Sequence, residues 1–246
     1  MQHRLKNTFY IVLFFSLIST LSYGQRSKNK KVKEYVFGAQ FKPIIPVNYF
    51  GAGPVDLSDT VTNLSINPKL GYSIGMVLRR DFTNLFSFET GINYTRRNYN
   101  IIANEPKRDT SDIADFGFVS YQIPLQALVY IRLSDKLFMN TSGGIGVDWY
   151  ASSVISNGEN GLIQHLSTKY YWMHFSMLAN VGFEYRTEEK GRFYLGASFV
   201  NPLKSITRTT IRYYYHNNDY QRYNTQLKGT YITVDLRYFF ANKVKS

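Results

Sequence analysis

The densest grouping of side chains able to bind another molecule lies between residues 208 and 223. Arg208, Arg212, Tyr213, Tyr214, Tyr215, Arg222 and Tyr223 set guanidinium groups among phenols there. Guanidinium forks match phosphate and carboxylate oxygens, and tyrosine rings give rigid contact area. The segment is therefore a candidate loop for a protein partner or a glycolipid, weighed against a plain band of interfacial aromatics. His174 and Ser176, with Glu89 or Glu184 to orient the imidazole, have the residue types of a hydrolytic triad. Acyl transfer needs those groups within hydrogen-bond reach, and residues two apart on one extended strand are spaced for packing. A histidine satisfied by its surroundings is the preferred account. Glu105, Asp109, Asp112 and Asp115 carry enough oxygen for a calcium ion. They lack the close alternation and tight glycine of a dedicated calcium loop, so a solvated acidic loop is expected. The chain has no cysteine, which excludes disulfides, thiolate metal sites and a cysteine-borne lipid anchor. No catalytic residue, metal or cofactor is assigned.

These residues must be positioned by strands. Residues 229–240 alternate almost without fault: Ile232, Val234, Leu236 and Tyr238 on one face, Thr233, Asp235 and Arg237 on the other. Seven further stretches behave similarly, at 35–47, 69–80, 85–98, 117–133, 136–152, 170–186 and 192–202. No useful length of helical periodicity intervenes. Tight polar turns at 81–84, 134–135 and 187–191 alternate with long connections at 50–68, 101–116, 153–169 and 203–228. That wiring, with an even strand number, predicts an eight-stranded antiparallel up-and-down transmembrane β-barrel with short periplasmic turns and long extracellular loops. Residues 206–215 and 220–230 alternate well enough to pair as a protruding hairpin, whereas 104–115 is expected to be irregular. Pro124 lacks a ladder donor and predicts a bulge.

The polar face distinguishes a membrane barrel from a soluble one. It carries Ser87, Glu89, Gly91, Asn93 and Thr95 in one stretch and Ser176, Asn180, Gly182 and Glu184 in another. Small and hydrogen-bonding groups suit a crowded lumen, and Phe86, Phe88, Ile92, Met177 and Val181 suit lipid. By parity Lys42, Arg79, Glu89, Arg132, Asp148, Glu184, Asp235 and Arg237 share the lumen. Eight strands leave an interior just wide enough to fill with side chains, so these charges should pair and plug it.

At the other end, His3, Arg4 and Lys6 precede an apolar run from Phe9 to Leu21 and the small residues before Gln25. This order predicts a secretory signal peptide over 1–24, cleaved after Gly24. A basic periplasmic leader follows at 25–34, then the barrel at 35–240 and a tail at 241–246. Losing Arg4 and Lys6 with the signal peptide takes the formal charge from +12 to +10. An exported chain rarely meets nucleic acid, so the surplus is assigned to the solvated leader and to anionic headgroups. Twenty-one tyrosines and 18 phenylalanines fit the aromatic girdles of a barrel.

Phe86-x-Phe88-Glu89-Thr90-Gly91-x-Asn93-Tyr94, Tyr121-x-Ile123-Pro124-Leu125 and Gly182-x-Glu184-Tyr185-Arg186 resemble the PorT-like outer-membrane β-barrel family of Bacteroidota. The resemblance spans nearly the whole mature chain and extends to the Gly-Gln at the end of the signal segment. It implies an outer-membrane location and no shared catalytic residues; the family's namesake takes part in type IX secretion. The favoured function is a non-enzymatic plugged barrel serving an envelope assembly such as secretion, in contact with outer-membrane lipid and other envelope proteins. The alternatives are a passive or adhesive surface barrel with minor pore activity, and an outer-membrane lipid-modifying enzyme.

Overall fold

The computed structural model describes residues 34–241 apart from 50, 61, 188, 217 and 218. The expected signal segment, the leader up to residue 33 and the tail from 242 lie outside the described residues. Among the described residues thirteen strands form: β1 (Glu34–Ile45), β2 (Val55–Asp56), β3 (Asn63–Asp81), β4 (Phe86–Glu105), β5 (Thr110–Arg132), β6 (Leu137–Tyr150), β7 (Val154–Asn157), β8 (Ile163–Lys169), β9 (Met173–Arg186), β10 (Arg192–Pro202), β11 (Thr207–His216), β12 (Asp219–Leu227) and β13 (Tyr231–Phe239). Eight of them, β1, β3, β4, β5, β6, β9, β10 and β13, follow one another around a closed antiparallel ring. Phe41 of β1 faces Ile74 of β3 on one side and Leu236 of β13 on the other, so first and last strands seal the wall. Closure is what lipid demands, since each unpaired backbone group in hydrocarbon costs several kcal/mol.

Within the wall the alternation is strict. Ile92 is 51 % exposed and Val181 46 %, while Glu89 and Glu184 on the opposite face are almost wholly buried. Pro124 causes no bulge: Gln122 and Leu125 keep one continuous register with Asn93 and Thr90. The register shift lies instead in β3, between Lys69 and Tyr72. It has a purpose in the pattern. Leu64 and Ile66 point inward from even positions, and Ser73, Val77 and Arg79 point inward from odd ones. One extra residue exchanges the faces of a strand, so the bulge lets both sets face the interior.

β4 and β5 are much taller than expected. The stretch 104–115 is not irregular, because β4 and β5 stay paired up to Glu105 and Thr110. At about 3.3 Å per residue the 23 residues of β5 extend roughly 75 Å, far beyond an apolar band about 25 Å tall. Above the band the faces trade character. Inward positions of β4 run Glu89, Asn93 and Thr95 and then Tyr99, Ile101 and Ala103, all buried. The oily inner surface so created is covered by a second sheet in the order β12-β11-β8-β7. Ile163, Ile206, Ile211, Tyr213, Tyr223 and Leu227 meet Leu64, Ile66, Ile101, Phe116 and Phe118 in one apolar core. Each large side chain buried there contributes roughly 1.5–3 kcal/mol. The barrel therefore carries a sandwich-like cap with its own dry core, built on the long connections.

Candidate functional site

Six of the eight expected lumen charges form one chain of ion pairs. Arg79 donates through Nε (3.1 Å) and Nη2 (2.9 Å) to Glu89 Oε2, and its Nη1 reaches Glu184. Arg237 bridges Glu89 and Asp235, the latter at 2.6 Å, and Lys42 Nζ stands 3.2 Å from Asp235. Ser198, Thr233 and Asn180 also donate to the Asp235 carboxylate. Phe239 lies under the Arg79 guanidinium at 3.9 Å and Tyr194 under that of Arg237 at 4.7 Å. Asp148 is buried in the same lumen, but Ser176 Oγ (2.7 Å) and Gln122 Nε2 (2.9 Å) hold it.

Arg132 departs from expectation. Its side chain is 60 % exposed and pairs with Asp135 in the periplasmic turn at 2.5 Å. Parity points it inward, yet at the last rung of β5 a long cation reaches water more cheaply than it enters a crowded interior. Two arginines that parity reasoning passed over take part at this rim. Arg186 donates to Glu184 at 2.7 Å, and Arg192 pairs with Asp81 at 2.8 Å. The signal for Arg186 was its position two residues after Glu184, on the same strand face.

The proposed hydrolytic groups are not arranged for proton transfer. His174 Nε2 lies 3.2 Å from the Tyr171 carbonyl, Ser176 donates to Asp148, and Glu89 and Glu184 are both engaged by Arg79. The four loop carboxylates also diverge. Asp115 pairs with Lys69, Glu105 pairs with Arg108, Asp109 sits in the turn with φ of 51°, and Asp112 is buried. Asp112 is not a solvated acid: its carboxylate accepts the backbone N–H groups of Asn160, Leu162 and Ile163 at 2.8–2.9 Å.

A hydrogen-bonded relay that sequence reasoning missed crosses the cap. Ser156 Oγ contacts His165 Nδ1 at 3.0 Å, His165 Nε2 contacts Ser167 Oγ at 2.7 Å, and Ser167 meets Thr209 at 2.7 Å. His165 is fully buried against the Phe116 ring, and burial pushes its pKa down to about 4. The unfolded histidine titrates near 6.5, so between about pH 6.5 and 4 the unfolded cap binds more protons than the folded one. Stability from the neutral imidazole is complete above that window and is lost as pH falls through it, by up to ~3 kcal/mol. Hydrogen exchange of the β8 and β11 amides, corrected for intrinsic rates, is expected to show cap opening as pH drops toward 4. His165→Gln should remove this dependence, and equal protection across the window in the unsubstituted protein would contradict it.

The arginine–tyrosine segment is strand, and strands divide their residues between faces. Tyr213 and Tyr223 are core residues of the cap, and Tyr215 packs against that core, so these three do not belong to an outer binding surface. Tyr223 donates its hydroxyl to Asp59 at 2.7 Å. Arg208, Arg212, Tyr214 and Arg222 project outward, joined by Tyr220. Arg212 stands directly opposite Arg222, and Tyr214 opposite Tyr220. Arg212 donates to Gln164 at 3.2 Å and stacks 5.3 Å over Tyr220. Arg208 lies 5.1 Å over Tyr170. A groove of about 350 Å³ runs between Arg208 and Arg222 past Thr210 and Asn224. Like charges directly opposite across a ladder repel, so this face favours an anionic visitor.

A family model described as outer membrane protein beta-barrel domain matches residues 41–208. No curated protein sequence matches the chain. Among solved structures, the outer membrane protein OprG from Pseudomonas aeruginosa is similar with a TM-score of 0.51 and 10 % identity, over 86 % of this chain and 98 % of that one. The outer membrane protein AlkL, solved in lipid bilayers, gives 0.38 at 11 % identity, over 91 % and 98 % of the two chains. The outer membrane protease OmpT from Escherichia coli gives 0.34 at 11 % identity, over 88 % and 99 %. At such identity the likeness to OprG speaks for the fold.

Proposed function

Because the chain belongs to the outer membrane protein beta-barrel domain family, we propose that it is a non-enzymatic, plugged barrel that presents its cap to a partner in an envelope assembly. The observation that carries this reading is the placement of Arg212 opposite Arg222 on the outer face of the cap, with Arg208 beside them. The surface suits an acidic partner, whose carboxylates or phosphates would relieve the repulsion between the guanidinium groups. The filled lumen supports a role other than conduction, and the engagement of His174 by the Tyr171 carbonyl and of Ser176 by Asp148 supports a role other than hydrolysis. Resemblance to the PorT-like family favours secretion as the process served. The chain reaches the membrane after cleavage behind Gly24, and outer-membrane lipid surrounds its apolar belt.

A photo-crosslinking amino acid at Thr210, on the outer face, is expected to capture one discrete protein partner in intact cells. The same probe at Ile92 should meet lipid alone, and Arg212→Glu with Arg222→Glu should abolish the Thr210 product. The purified barrel should give no stable conductance in planar bilayers. A barrel that emerges alone from mildly solubilised membranes and yields no Thr210 product overturns the proposal.

A further inference from the structure

A second recess lies lower, where the lipid-facing belt gives way to the cap. It encloses about 460 Å³ between the start of β9, the end of β10 and the end of β12, with Tyr170, Tyr171, Leu203, Lys204, Gln226 and Lys228 in its lining. The wall below it is oily: Leu203 is 60 % and Trp172 64 % exposed, with Phe175 and Met177 continuing down β9. The wall above it is cationic. Lys204 Nζ lies 5.5 Å over the Tyr171 ring, and the Arg208 guanidinium lies 5.1 Å over the ring of Tyr170. Gln226 (2.9 Å) and Arg208 (3.3 Å) both donate to the Tyr170 hydroxyl, which fixes that ring in place before any ligand arrives. No carboxylate among the described residues lines the recess. Among the described residues Lys204, Lys228 and Arg208 have no ion-pair partner, whereas Lys42, Arg79 and Arg237 in the lumen are each paired.

From this arrangement we infer that the recess is a binding site for a phosphate-bearing lipid of the outer leaflet. Lys204 and Lys228 take the phosphate, Arg208 stands at the rim, and the acyl chains descend over Leu203, Trp172 and Phe175. An anionic head above and hydrocarbon below is the polarity of the recess itself, and its height at the edge of the apolar belt places it level with lipid headgroups. A soluble anion would use only the upper half. The site adjoins the outer face of the cap, with which it shares Arg208 and Gln226, but its two lysines lie outside that groove and its occupancy does not depend on that face having a partner.

The test is native mass spectrometry of the full barrel in a non-ionic detergent, with lipid A as the probe. One lipid A is expected to remain bound, and Lys204→Gln with Lys228→Gln should weaken it on the order of tenfold, from two cations lost near the headgroup. Arg132→Gln, at the periplasmic rim, should leave binding unchanged. Dephosphorylated lipid A should bind no better to the original barrel than to the double variant. Equal binding of lipid A by the double variant, or of the dephosphorylated lipid by the original barrel, overturns the proposal. Displacement by inorganic phosphate alone overturns the lipid assignment in favour of a free-anion site. Heat-dependent gel mobility reports folding of each variant. Should the double variant fail to fold, the single Lys204→Gln and Lys228→Gln variants, both outside strands, carry the same expectation at a smaller factor.

Discussion

Replacing Arg79 by alanine is expected to cost the barrel about 3–5 kcal/mol, the largest loss from any single lumen substitution. Arg79 is fully buried and lies between two carboxylates, Glu89 and Glu184, while also stacking on Phe239. Removing it leaves two buried anions with one fewer counterion each, and the desolvation cost of both remains. Arg237 still serves Glu89 and Arg186 still serves Glu184, which keeps the loss within that range. Arg79→Met combined with Glu184→Gln should be milder than Arg79→Ala, because one of the two stranded charges goes with its partner. Denaturant unfolding in lipid vesicles measures both, and heat-dependent gel mobility gives the same ranking. An Arg79→Ala barrel within about 1 kcal/mol of the original would mean that water enters the lumen and solvates Glu89 and Glu184, and the plug would then be no plug.

The same network explains why the wall was readable from sequence. Inside the membrane every strand obeys one local constraint, apolar outward and small or polar inward, so parity alone places Lys42, Glu89, Glu184, Asp235 and Arg237. Arg132 escapes because parity says nothing about where a strand meets water. The cap was far less legible, for a different reason. Above the belt the inward face of β4 and β5 turns apolar at Tyr99 and Phe116, so the rule that locates the lumen changes sign within a single strand. A periodicity search sees Ile101, Ala103, Ala114 and Phe116 alternate, but their covering sheet comes from residues 154–227, distant in sequence. Tyr213 and Tyr223 look like ligands when read as composition. Only the ladder pairing of Arg212 with Arg222 separates the tyrosines that pack from the arginines that project. Asp112 looked like one acid among four because the groups it satisfies are backbone amides, which leave no trace in side-chain identity.

Asp112→Ala is expected to release the β7–β8 turn from β5 without unfolding the barrel. The Asp112 carboxylate accepts Asn160 N–H on one oxygen and Leu162 and Ile163 N–H on the other, at 2.8–2.9 Å. Stranding the half-buried Leu162 and buried Ile163 donors costs on the order of 1–3 kcal/mol each where water cannot replace the acceptor, whereas water reaches the exposed Asn160, and the turn moves outward to recover part of the loss. A net local loss of about 3 kcal/mol follows, enough to raise exchange at those amides roughly a hundredfold. Asp112→Asn should lie between, since one side of its amide presents N–H groups to other N–H groups. Gly158 offers an independent route to the same opening: a Cβ there would meet Asp112 Oδ2 at 1.9 Å, so Gly158→Ala must displace the carboxylate or the turn. Hydrogen exchange should then report lost protection at Asn160, Leu162 and Ile163 in all three variants, with amides of β9 and β10 in the membrane unchanged. Retained protection of Leu162 and Ile163 in Asp112→Ala would show that the apolar core around Ile163 and Ile211 holds the turn unaided, and that the buried carboxylate is dispensable to the cap.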